Sequence, residues 1–294
     1  MPQRGAPAAP ERRTFVHADG VRLAVREWPG PPAAPAVLLL HGLASTSHIF
    51  DLVAPLLARR FRVVAFDQRG HGESAAPGSG YGFDRVTADA LAVIGRRRLG
   101  RPVVVGHSWG ASVAAHLAAR PRSPAAAAVL VDGGFVRMRG RMDWPTARER
   151  LRPPPIAGMG VEEFLAMARR RLAGALVVTP VVEAVLLSLV RVDAGGRIRP
   201  RLSLRNHLRI LHAIWRSDPL ETLRAVRVPT LIVAVRDGEA ELQAEKRRAA
   251  AAVRAIGPPV RLEWVRGIHD LPLQRPAWLA RRIARFAREA GVVG

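Results

Sequence analysis

Short apolar runs recur along the chain, and segments with helical periodicity separate most of them. The runs are five or six residues long and rich in Val and Leu. Runs of this length are typical of strands that are covered on both faces of a parallel sheet. The predicted buried strands are AVLLL (36–40), RVVAF (62–66), PVVVG (102–106), AAVLV (127–131), TLIVAV (230–235) and RLEWV (261–265).

The segments between these strands place apolar residues on one helical face. The predicted helices are 48–59, 83–98, 109–120, 239–256 and 276–290. Alternating strands and helices predict an α/β fold, a mostly parallel twisted sheet with helices on both faces. Near the start, two alternating runs within 14–28 flank Asp19 and Gly20, which predicts a β-hairpin.

The alternation stops between residues 135 and 219, where helix-like segments predict a mainly helical lid. The predicted core is therefore 14–134 together with 220–294. Residues 1–13 are rich in Pro and Ala and lack the apolar run of a signal peptide, so we expect a disordered tail. The apolar segment 177–190 is interrupted by Pro180 and Glu183 and is too short to cross a bilayer.

Composition excludes several classes of chemistry. The chain has no cysteine, which excludes disulfides and thiolate catalysis, and no cluster with metal-ligand spacing or phosphate-binding loop is visible. The net charge of +22 could indicate a nucleic-acid, membrane or anionic partner, but the basic residues are scattered and accompany no nucleic-acid-binding motif. We therefore expect no cofactor, no metal, no nucleic acid, no membrane contact and a cytoplasmic protein.

One serine lies in the motif GHSWG (106–110), directly after a predicted buried strand and before a predicted helix. Ligands of open parallel sheets bind beyond the carboxyl ends of the strands. A sharp turn there would expose the Ser108 hydroxyl, and a Cβ at Gly106 or Gly110 would collide with the neighbouring element. Ser108 is thus a candidate nucleophile.

Five segments in order resemble landmarks of the α/β-hydrolase family: LLLHGLAST (38–46), FDQRGHGES (66–74), GHSWG (106–110), VPTLIVAVRDG (228–238) and GIHDLPLQRP (267–276). The resemblance covers nearly the whole chain. It implies that His269, in the loop after the last strand, is the catalytic base. It also implies an oxyanion hole formed by the backbone N–H groups of Leu43 and Trp109.

Two aspartates are candidates for the acid that orients His269. Asp237 follows the predicted strand 230–235, the commoner location in the family, and is preferred. Asp132 ends the preceding strand, from which some family members take their acid, and is the alternative. The other histidines are interpreted as structural or without signal, except that His207 and His212 could line a pocket.

The resemblance implies a serine hydrolase that cleaves a carboxylic ester, thioester or lactone of small size through an acyl-enzyme on Ser108. Bulky apolar residues of the lid would cover the acyl group or pack with one another. Hydrolysis of carbon–carbon bonds in β-diketone-like substrates, and ligand binding as a receptor, are the alternatives. The lid residues are Trp144, Phe164, Met167, Leu186, Leu187 and Trp215.

Overall fold

A computed structural model of the chain describes residues 12–236 and 240–293. Eight strands form one sheet in the order β1-β2-β4-β3-β5-β6-β9-β10, and β7 pairs with β8 in a separate antiparallel ribbon. Strand β2 runs antiparallel to both of its neighbours, β1 and β4. The six strands from β4 to β10 in this order are parallel, which confirms the predicted fold class. The strands are β1 Arg12–Ala18, β2 Val21–Trp28, β3 Ala36–Leu40, β4 Arg62–Phe66, β5 Val103–His107, β6 Ala127–Val131, β7 Val190–Val192, β8 Ile198–Pro200, β9 Thr230–Arg236 and β10 Val260–Arg266.

Helices cover both faces of the sheet. Two apolar layers result, because alternate residues of a strand face opposite sides: Leu38 packs in one layer and Leu39 in the other. Helices α2, α3, α8 and α9 contribute to the first layer, and α1 and α11 to the second. The helices are α1 Ala54–Leu57, α2 Phe83–Arg96, α3 Trp109–Ala118, α4 Trp144–Arg150, α5 Val161–Leu172, α6 Pro180–Ser188, α7 Leu204–Arg216, α8 Pro219–Arg224, α9 Ala240–Ile256, α10 Leu271–Gln274 and α11 Pro276–Glu289.

Two local features differ from the sequence-based expectations, and the first has a clear physical cause. The predicted helix 48–59 is a 3₁₀ turn, Ser47–Phe50, followed by the short α1. Pro55 lies in the first turn of α1, where its missing N–H costs nothing, whereas it would interrupt one continuous helix. In addition, β1 begins at Arg12, two residues inside the predicted tail; residues 1–11 lie outside the described part of the chain.

The segment between β6 and β9 contains α4 to α8 and the β7–β8 ribbon. We call residues 135–219 the inserted segment. Its own small core joins Phe164 and Leu165 to Val190 and Ile198. Hydrogen bonds tie it to the rest of the protein: Ser188 Oγ lies 2.6 Å from Thr46 Oγ1, and Asn206 Nδ2 donates to Tyr81 Oη at 2.7 Å.

Candidate active site

Ser108 lies between β5 and α3, in a backbone conformation that only a constrained turn maintains. Its φ of 55° and ψ of −120° fall in a region that L-residues rarely adopt. The surrounding glycines make this turn possible. A Cβ on Gly106 would lie 2.0 Å from the carbonyl oxygen of Gly110, and one on Gly110 would lie 2.2 Å from that of Leu40. The predicted steric role of both glycines is confirmed.

Three polar side chains from distant parts of the sequence form a continuous hydrogen-bonded line. Ser108 Oγ lies 2.9 Å from His269 Nε2, and His269 Nδ1 lies 2.7 Å from Asp132 Oδ2. A carboxylate only accepts, so Nδ1 donates to Asp132; in the neutral ring Nε2 is then the unprotonated nitrogen, and it faces the Ser108 hydroxyl. The His269 side chain is 52% exposed, whereas that of Asp132 is 1% exposed.

The structure thus places Asp132, the alternative acid, against His269. Asp237, the preferred acid, lies outside the described residues. Asp132 is held by more than His269: its Oδ1 accepts from the Val235 N–H at 2.9 Å, and the Lys246 ammonium donates to Oδ1 at 2.8 Å and to Oδ2 at 3.0 Å. Lys246 was not identified from the sequence as a site residue, although it is the only lysine and every other strongly basic residue is arginine.

Protonation in this line is governed by its charges. Desolvation would lower the pKa of His269, but the hydrogen bond and the charge of Asp132 outweigh it and raise the pKa above 6.5. Desolvation would likewise raise the pKa of Asp132, and the His269 hydrogen bond with the nearby Lys246 charge lowers it instead. Asp132 is therefore ionised at neutral pH and favours the imidazolium form of His269.

His107, the residue before Ser108, contacts His269. Its Nε2 donates to the backbone carbonyl of His269 at 2.8 Å, and the two rings lie 4.9 Å apart. Burial lowers the pKa of His107 to about 4, so its ring is neutral. No such role was predicted for His107, because in a sharp turn of this kind the residues beside the serine point away from the substrate.

Two further histidines shape the loop after β3. The ring of His41 accepts from the Gln68 N–H at 2.9 Å, and the ring of His71 accepts from the Ala44 N–H at 3.2 Å. Burial lowers the pKa of His41 to about 4 and that of His71 to about 3, so neither is charged. Both were interpreted as structural, and these contacts agree with that interpretation.

The residues predicted to supply the oxyanion donors border Ser108. A Cβ on Gly42 would lie 3.0 Å from Ser108 Cβ, so the backbone leading to Leu43 packs directly on the serine. Trp109 is the first residue of α3, where a helical N–H has no partner within its own helix. Within the described residues, neither the Leu43 nor the Trp109 N–H donates a backbone hydrogen bond.

A cavity of about 660 Å³ adjoins the site beneath the inserted segment. Ala44 and Asp270, which follow Leu43 and His269, form part of its wall. Of the six bulky lid residues singled out in the sequence, Phe164, Met167 and Leu186 line it, whereas Leu187 packs in the small core. The other two, Trp144 and Trp215, pack around His212, while His207 lines the cavity.

Three arginines of the inserted segment also line this cavity. Arg152 and Arg171 make no ion pair among the described residues, and Arg201 donates to the carbonyls of Val190 and Gly72 rather than to a carboxylate. Asp270 is the acidic residue of the wall, which is otherwise mostly apolar.

Metal and membrane sites are not evident in the described part of the chain. In 12–236 and 240–293, no group of three or more His, Asp or Glu side chains is arranged to hold a metal ion. Over the same residues, none of the helices combines the length and the apolar character needed to cross a bilayer.

The fold and the residues at the strand ends define an α/β-hydrolase architecture. A family model described as alpha/beta hydrolase fold matches residues 35–159. The crystal structure of an E-2-(acetamidomethylene)succinate hydrolase superposes with a TM-score of 0.79 at 24% identity, over 94% of this chain and 99% of that one. The chain thus has the α/β-hydrolase fold that its sequence motifs predicted, and over residues 35–159 it is similar to that family.

Curated relatives extend the likeness over different lengths. The 2-(acetamidomethylene)succinate hydrolase of Mesorhizobium japonicum is 29% identical over 68% of this chain and 70% of its own length. The bifunctional esterase/perhydrolase DCH of Acinetobacter calcoaceticus is 38% identical over 38% of this chain and 41% of its own length. Probable oxidoreductase EphD of Mycobacterium tuberculosis is 45% identical over 31% of this chain. The chain spans only 16% of the length of EphD.

Proposed function

We propose that the chain is a serine hydrolase that cleaves a carboxylic ester, thioester or lactone through an acyl-enzyme on Ser108. One observation carries the proposal: the unbroken line from Ser108 through His269 to Asp132, with contacts of 2.9 and 2.7 Å. A serine hydroxyl becomes nucleophilic when a correctly oriented imidazole accepts its proton.

The geometry supports the following sequence of steps. His269 Nε2 accepts the Ser108 proton as Oγ attacks the substrate carbonyl carbon. The oxygen that becomes negative lies against the Leu43 and Trp109 N–H groups, and each such donor stabilises the transition state by about 3 kcal/mol. The bond to the leaving alcohol breaks, and His269 gives that alcohol its proton. Water then attacks the acyl carbon while His269 accepts the water proton. The bond to Ser108 Oγ breaks, His269 returns the proton to Oγ, and the acid is released.

In this proposal Asp132, not Asp237, is the acid of the triad. Asp132 accepts the Nδ1–H of His269, which fixes the tautomer that leaves Nε2 free for Ser108. Its charge also stabilises the imidazolium that forms during attack. The inserted segment serves as the lid, and its cavity receives the larger part of the substrate.

The arginines of the cavity support a substrate that carries a carboxylate beside its ester. Guanidinium groups bind carboxylates by charge-assisted hydrogen bonds, and Arg152 and Arg171 have no acidic partner in the described chain. The M. japonicum relative is named for a succinate derivative, and the A. calcoaceticus relative for an esterase activity. The first name includes a dicarboxylic acid and the second an esterase, so each name agrees with one part of the proposal.

A covalent probe tests the mechanism without knowledge of the substrate. An alkyl fluorophosphonate should add one phosphonyl group to Ser108 with loss of fluoride, as intact mass and peptide mapping would show. The Ser108→Ala variant should not be labelled. If the native protein kept its mass while it hydrolysed p-nitrophenyl esters, the acyl-enzyme on Ser108 would be refuted. Tight ligand binding without turnover would instead support a receptor.

A further inference from the structure

The only lysine of the chain is buried against the carboxylate of Asp132. Lys246 lies on α9, and its side chain is 6% exposed. Its ammonium donates to Asp132 Oδ1 at 2.8 Å, to Asp132 Oδ2 at 3.0 Å and to the Val235 carbonyl at 3.1 Å. An ammonium has three protons, so these three acceptors satisfy it completely.

The use of lysine here is a departure from the rest of the sequence, since every other strongly basic side chain is arginine. Lysine provides a compact point charge, whereas the planar guanidinium needs more room and has five donors to satisfy. A buried charge is costly unless it is paired and hydrogen-bonded. The site around Asp132 meets that requirement with a lysine.

We propose that Lys246 is a positioning residue of the triad: it fixes the Asp132 carboxylate toward His269 and balances its charge. His269 then releases its proton at a lower pH than it would beside an unbalanced carboxylate. This inference rests on the proposed function, because it assigns Lys246 a role in the same site.

The charged groups around His269 give the sign of the effect. Two carboxylates favour the imidazolium and raise the pKa of His269: Asp132, which directly follows β6, and Asp270, the residue after His269 in the same loop. Lys246 on α9 opposes them and lowers it, while His107 on β5 is neutral. Removing the lysine charge therefore stabilises the protonated, inactive form of the base.

The test is the pH dependence of fluorophosphonate labelling at Ser108. The labelling rate reports the fraction of His269 that is neutral, and the measurement does not require a known substrate. In Lys246→Met, we expect the midpoint of the acidic limb to move to higher pH. The ratio of the labelling rate at pH 6 to that at pH 9 should fall roughly fivefold relative to the native protein, for loss of one charge at close range. Lys246→Gln, which is neutral but can still donate, should move the midpoint in the same direction.

One control removes a charge elsewhere on the same helix. Arg247→Gln removes an exposed charge from the next position of α9 and should leave the midpoint unchanged. If the neutral variants fold and are labelled with the native midpoint, and only their thermal stability falls, Lys246 is structural and the inference is overturned. If the native protein is not labelled at Ser108, the proposed function fails instead.

Discussion

The Nε2 of His107 donates a hydrogen bond to the backbone carbonyl of His269 at 2.8 Å. The residue that precedes the proposed nucleophile therefore holds the loop that carries the proposed base. Strand β5 therefore positions both Ser108 and His269. It ends in the turn that exposes the Ser108 hydroxyl, and its last side chain, His107, restrains the backbone of His269.

Replacing His107 by Phe should keep the buried ring and remove its donor. The His269 carbonyl then loses its partner, at a cost of about 1 kcal/mol or more, and kcat should fall roughly tenfold with little change in KM. The control is His116→Phe, which removes a similar 2.8 Å bond to the Ser112 carbonyl away from the site. Equal ester hydrolysis rates for the two variants would show that the His107 contact has no role in catalysis.

The acidic limb of activity should have its midpoint above pH 6.5, because Asp132 raises the pKa of His269 from that ordinary value. As the pH falls through this midpoint, His269 becomes protonated and can no longer accept the serine proton. Asp270→Asn removes a charge that also raises this pKa, so its midpoint should move to lower pH. A labelling rate that is flat from about pH 5 to pH 8 would exclude His269 as the base.

Asp132→Asn should lower kcat by about 10⁴-fold, because the amide favours the wrong tautomer of His269. Asp237→Asn is the matched control and should retain its rate within a few-fold. Both rates are measured with a p-nitrophenyl ester after circular dichroism has shown that the variants are folded. The opposite result, with the large loss at position 237, would return the acid to the location that the sequence favoured.

Gly106→Ala should destabilise the fold severely, because the new Cβ would meet the Gly110 carbonyl oxygen at 2.0 Å and backbone cannot yield as a flexible side chain does. We expect a loss of more than about 2 kcal/mol in the free energy of unfolding, measured in urea. Gly95→Ala is the control, since that Cβ meets nothing within 4 Å and the position is helical. It should gain about 0.5–1 kcal/mol.

Arg171→Gln should discriminate between charged and uncharged esters. The KM for p-nitrophenyl hydrogen glutarate should rise roughly fivefold, as expected for a lost charge-assisted hydrogen bond that solvent partly screens, while the KM for p-nitrophenyl pentanoate should not change. Arg170→Gln removes the same charge from a neighbour that does not line the cavity. An equal effect of both variants on the charged ester would indicate attraction by the overall positive charge alone.

The centre of the sheet was predictable because its central strands are buried on both faces. Such strands read as unbroken apolar runs, and AVLLL and RVVAF match β3 and β4 residue for residue. The β7–β8 ribbon was not predicted, because strands of three residues carry too little periodic signal. The short turns at 47–57 likewise depend on one proline within an otherwise helical pattern.

The contact between Ser108 and His269 was expected from the resemblance to the α/β-hydrolase family, which implies a base in the loop after the last strand. The resemblance did not decide which aspartate is the acid, because Asp132 and Asp237 both follow strand ends. Only the position of the His269 loop in three dimensions shows which carboxylate its ring contacts. Lys246 was missed for a similar reason: helical spacing does not tell that this one position of α9 faces a buried carboxylate. Side chains that meet across distant segments require coordinates.

The burial of Tyr81, in a chain with a single lysine, has a consequence for the protein in alkaline solution. The chain has one tyrosine, one lysine and no cysteine, and burial raises the pKa of Tyr81 to about 12. Arginines keep their protons throughout the range of about pH 8 to pH 11, in which lysine-rich proteins lose cationic charge. Copies of this chain should therefore keep repelling one another there, so its colloidal behaviour is nearly independent of alkalinity.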